Sequence, residues 1–148
     1  MDTDLLASFI GKKHDVLEQL RQLSRRQMDL IGEGDMTGLL SVLNVKQNLL
    51  VALQAVERDL DPFRQQDPDQ RPWRTVADRQ RCRQVSDRCD ALLQEVMLIE
   101  KQSEAALRHR RDAVAHRLQG MHSASHARAA YVETLPPTMS QFDLTSDR

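Results

Sequence analysis

Lys46 is the residue that most invites a chemical reading. In DMTGLLSVLNVKQNLLVAL (35–53), Leu39, Leu43, Leu50 and Leu53 share one helical face, with Lys46 in its middle. A lysine that acts as base or nucleophile needs burial and a reactive pocket to depress its pKa. Aromatic residues make up only 3% of this chain, and a ring-poor helical protein offers little sign of such a pocket. The ordinary alternative is structural, with the methylene stem buried and the ammonium reaching water. Pairing with an Asp or Glu on a neighbouring helix, or contact with a partner, stays open beside it.

The other chemistry-bearing groups read as structure. Cys82 and Cys89 lie two helical turns apart, about 10 Å, beyond the reach of a mutual disulfide. They fit small core residues, a bond to a second chain being the minor option. His122 and His126 stand at i, i+4, but no Asp, Glu or Cys lies close enough to complete a metal site. Glu-x-x-His pairs, Gly-rich phosphate loops and the G-x-S-x-G elbow are all absent. The one basic cluster is RHRRDAVAHR (108–117), with Arg108, Arg110, Arg111 and Arg117. It is either a solvated face or a steering patch for an acidic protein partner. Nucleic acid suits it less, since no rings interleave and Asp112 dilutes the charge. The expectation is a non-enzymatic protein with no catalytic, cofactor-binding or metal site.

The elements that position these residues are helical. Phe9, Val16, Leu23 and Leu30 recur every seven residues, beside Ile10, Leu17 and Ile31, with Ser24, Lys13 and Gln27 as polar interruptions. Asp2 or Thr3 can cap this first helix, and GEGD (32–35) ends it. Asp35 opens a second helix whose apolar stripe is wider than one seam needs, so it should touch two neighbours. Pro62, Pro68 and Pro72 then impose a loop, from which Trp73 should fold back over the bundle end. Thr75 and Asp78 have capping-box spacing, and Val85, Cys89, Leu92, Val96 and Ile99 form a strong third stripe.

The spacing predicts an all-α protein: three long helices over about 3–31, 36–60 and 76–118 in an antiparallel, coiled-coil-like bundle. The third outruns the 32–35 turn and should overhang by roughly 20 Å at 1.5 Å per residue. Residues 1–118 form the bundle, and 119–148, rich in Ser, Thr, Pro and Ala, read as a flexible tail. The 148 residues carry a net charge of −1, so no whole-chain field recruits nucleic acid or an acidic membrane. No run of about 18 apolar residues suggests a membrane span, and the acidic N-terminus lacks signal-peptide character. Two cysteines do not build a secreted scaffold, so the expected location is the cytoplasm.

The stretch LEQLRQLSRRQMDLIGEGDMTGLLSVLNVKQNLLVALQAVERDLDPF (17–63) resembles the FlgN-type flagellar export chaperones. Leu39, Leu40, Leu43, Lys46, Leu49 and Leu50 fit their Leu-x-x-Leu…Lys-x-x-Leu-Leu pattern, with Asp35 at the turn. The Pro-rich loop is longer than that family's pattern. The resemblance implies a cytoplasmic, cofactor-free chaperone. It would bind the C-terminal helical regions of hook-associated (hook–filament junction) proteins and bring them to the export gate of the flagellar type III secretion apparatus. A related class serving the filament cap shares much of this pattern. Within this reading the cargo face is Leu107, Arg111, Val114, Leu118 and Met121, while Tyr131 and Phe142 dock elsewhere or stay solvated. A structural coiled-coil homodimer or adaptor, its overhangs paired with each other, is the alternative from another class.

Overall fold

The computed structural model describes residues 2–134. Three α-helices account for almost all of them: α1 (Thr3–Glu33), α2 (Met36–Arg64) and α3 (Val76–Glu133). A short 3₁₀ turn, Pro68–Gln70, lies in the α2–α3 connection, and no strand occurs among the described residues. The all-α fold expected from the spacing is therefore present. The chain divides into two compact units, Met1–Leu107 and Arg108–Arg148.

Local chemistry sets most helix ends. The Asp2 carboxylate accepts from Asp4 N–H at 2.8 Å, and the Thr75 hydroxyl accepts from Asp78 N–H at 3.0 Å. Gly34 closes α1 in the left-handed region at φ 75°, where other residues are strained. Its N–H and that of Asp35 donate to the Ile31 and Leu30 carbonyls. Asp35 then accepts from Gly38 N–H at 2.9 Å and starts α2. A Cβ at Gly38 would stand 2.7 Å from the Asp35 carboxylate and 2.9 Å from a Leu30 methyl. The turn is therefore built around a missing side chain.

Two ends differ from the expectation. α2 does not stop at residue 60 but carries Pro62 inside its last turn. Pro62 withholds an N–H, a loss of up to about 3 kcal/mol in a helix interior. The next residue, Phe63, is buried against Leu6, Val56, Leu60 and Cys82, and such burial is worth about 1.5–3 kcal/mol. The Arg64 side chain also donates back to the Glu57 carbonyl. α3 does not stop at 118 either; it passes through Gly120 to Glu133. One glycine costs a helix only about 1 kcal/mol, too little to end it. Residues 119–133, expected as tail, are helix, and the remainder of that expected tail, with Phe142, lies outside the described residues.

Within the first unit α2 runs antiparallel to α1, as Lys13–Glu57 and Gln27–Lys46 pairs require. α3 runs alongside α1 in the same direction, as Cys89–Ile10 and Ser24–Glu100 contacts require. The core forms three levels. At one end Leu6, Val56, Leu60, Phe63 and Cys82 pack together, with Phe9 edge-on to Phe63 at 6.1 Å and Trp73 folded against them. Leu17, Leu20, Cys89, Leu92 and Val96 form the middle. Leu30, Ile31 and Leu39 close the turn end, with Ala106 of α3 against them. Burial along α3 ends at Ser103. The second unit, as described to Thr134, is helical and has no buried residue.

Candidate functional site

Lys46 does not snorkel. It is 7% exposed, and its Nζ donates to Gln27 Oε1 of α1 at 2.6 Å and to Glu100 Oε1 of α3. Ser24 Oγ donates to the same Glu100 oxygen at 2.8 Å. Ser103, buried one turn on, has no hydrogen-bond partner for its hydroxyl. A polar layer thus crosses all three helices between two apolar levels. The polar interruptions at Ser24, Gln27 and Lys46 are residues of this layer. Glu100 was missed, because a lone acid beside a stripe looks like any solvated carboxylate. Its side chain is 40% exposed, so the layer opens to water on one side. The ammonium is held between a carboxylate of α3 and an amide of α1.

At the apolar end the basic residues lining one cleft are engaged within the bundle. This cleft, of about 280 Å³, is lined by Leu6, Ile10, Leu60, Phe63 and Cys89, with Lys13, Arg64 and Arg71 at its edge. Lys13 and Arg64 both pair with Glu57, and Arg71 donates to the Phe63 carbonyl. Partial burial raises the Glu57 pKa, but the hydrogen bonds and charges of Lys13 and Arg64 outweigh it and leave the value lowered. Burial pushes both thiols up, so Cys82 and Cys89 stay protonated and unreactive near neutral pH. Both are free. His122 and His126 stack at 6.5 Å, and no metal-ligand cluster occurs among the described residues.

The cargo residues named from sequence are exposed. Leu107 ends the first unit. In the second, Val114, Leu118 and Met121 follow at helical 4, 3 spacing on one face, and Arg111 precedes them, paired with Asp112 at 3.2 Å. Tyr131 is exposed but falls on another face; Val132, eleven residues after Met121, returns to the face of the seam, with Ser125 and Arg128 between them.

The stripe of α2 splits in two. Leu39, Lys46, Val56 and Leu60 are buried, with Leu53 partly so, while Leu43 and Leu50 look outward at 41% and 42% exposed. α2 also meets the length and composition of a membrane span, contrary to the expectation from the sequence, although its inner side packs in the bundle. No protein-family model, curated protein or solved structure matches the chain.

Proposed function

We propose that the protein is a non-enzymatic cytoplasmic export chaperone of the FlgN type. It would bind the C-terminal helical segments of flagellar hook–filament junction proteins and bring them to the export gate of the type III secretion apparatus, without cofactor. The observation that carries this reading is the seam Val114, Leu118, Met121 and Val132, an amphipathic helix face with no covering element among the described residues. The resemblance over 17–63 supplies the cargo class. An amphipathic cargo helix laid on this seam buries apolar area at about 25 cal/mol per Å², less the cost of ordering both segments. Arg110, Arg111 and Arg117 flank it and suit an acidic cargo rim.

The test is calorimetry of the full chain with a junction-protein C-terminal peptide. The Val114→Ser, Leu118→Ser, Met121→Ser variant should lose binding by about 100-fold while keeping its helicity, since hot-spot truncations cost 2 kcal/mol or more. Undiminished binding by this folded variant would remove the seam from the mechanism. Absence of binding by the unaltered chain would remove the cargo class.

A further inference from the structure

Over residues 36–56 the outward side of α2 carries no charge. From Met36 to Val56 the only ionisable side chain is Lys46, and it is buried. The residues at 36, 40, 43, 47, 50 and 54 are Met, Leu, Leu, Gln, Leu and Gln, and all six are exposed. Their alternating 4, 3 spacing is that of a coiled-coil seam, lying beside the inward seam of Leu39, Lys46 and Leu53. Leu40 is 68% exposed. By contrast, α1 shows Lys12, Asp15, Arg25, Arg26 and Asp29 to solvent, and α3 shows Arg83, Asp87, Arg88 and Lys101. Contiguous apolar surface of this kind marks an interaction site.

We infer that the outward seam of α2 is a homotypic interface, occupied by the same seam of a second copy of this chain. Charge decides the occupant. Against an uncharged wall, a charged helix face must shed the water around its ions without gaining partners. The faces of α1 and α3 would incur that penalty; a second α2 would not. Its Gln47 amide carries both donors and acceptors, and in an antiparallel pair it lies within one turn of its own copy. An antiparallel two-fold arrangement sets Leu40 across from Leu50 and Leu43 across from Gln47, each pair occurring twice. The inference is independent of the cargo reading, because it uses no residue beyond Leu107.

Sedimentation equilibrium of the full chain, over about 1–100 µM to bracket micromolar affinity, tests it, with phospholipid vesicle co-sedimentation alongside. The expected mass is twice the 17.0 kDa of one chain. Leu43→Glu should weaken association by at least about 100-fold, since it buries an unpaired charge, and Leu40→Lys should do the same. Leu40 is the most exposed apolar residue of the seam, so its variant keeps the fold, as circular dichroism would verify. Arg88→Glu, on a charged face, should leave the dimer intact. A chain that stays at 17.0 kDa throughout overturns the inference. So does a dimer indifferent to both seam variants. A monomer that sediments with vesicles, and loses them on Leu40→Lys, assigns the seam to a lipid surface instead. Cargo binding by the monomeric variant is read separately and bears only on the chaperone proposal.

Discussion

The apolar end of the bundle and its polar layer hold the same three helices together by opposite means. At the end, Phe63 sinks into Leu6, Val56 and Leu60, and these buried side chains need no partner of particular charge. At the layer, Lys46 depends on Glu100 and Gln27, and either loss strands a polar group. The first arrangement tolerates changes of shape poorly and changes of charge worse. The second tolerates shape and is asymmetric in charge, because Glu100 reaches water while Lys46 does not.

Substitutions can sharpen this contrast. The largest effect should come from Phe63→Ala, which empties the ring site and should cost about 3–5 kcal/mol in urea unfolding. Next is Glu100→Leu, which leaves the Lys46 ammonium buried and unpaired. Breaking such a pair costs about 3–5 kcal/mol when both partners are buried, and the open side of this layer should reduce that to about 2 kcal/mol. Gly38→Ala should cost no more than about 1 kcal/mol, because displacing the Asp35 cap and the Leu30 methyl is partly offset by the better helix propensity of Ala. Lys46→Met should change stability by less than about 1 kcal/mol, since an apolar chain of similar size fills the layer and Glu100 turns to water. If Lys46→Met proved as damaging as Glu100→Leu, the asymmetry would be wrong.

The smallest effect is electrostatic. Glu57 has a folded pKa below its ordinary value of 4.5, so its contribution is fully present above that value. It is lost as pH falls through the lower folded value. Glu57→Gln should therefore lower stability slightly at pH 7 and flatten the loss below pH 4.5. Urea midpoints at pH 7 and at pH 3 would show whether the curves converge.

Helix starts were legible because each rests on a local signal: Asp2, Asp35 and Thr75 cap within three residues of themselves. Ends were less so. Pro62 and Gly120 are local stop signals that nonlocal gains or sheer helix length overrode. The partner of Lys46 was beyond reach for a related reason: Glu100 lies 54 residues away and is chosen by how two long helices slide together. The split of the α2 stripe needed that same information. Leucines at 39 and 43 differ by only about 40° around a helix, yet one is core and the other surface.

That sliding freedom gives the Lys46 layer a further consequence. Heptad-spaced leucines repeat themselves, so an apolar bundle can settle a whole repeat out of place at little cost. Here, displacement of α3 by seven residues either way would face Lys46 with Leu93 or Leu107, and the ammonium would have no anion. The layer works as a notch in an otherwise smooth rail. Without it, Lys46→Met would still give a helical and well-folded protein, but one spread over several alignments of α3.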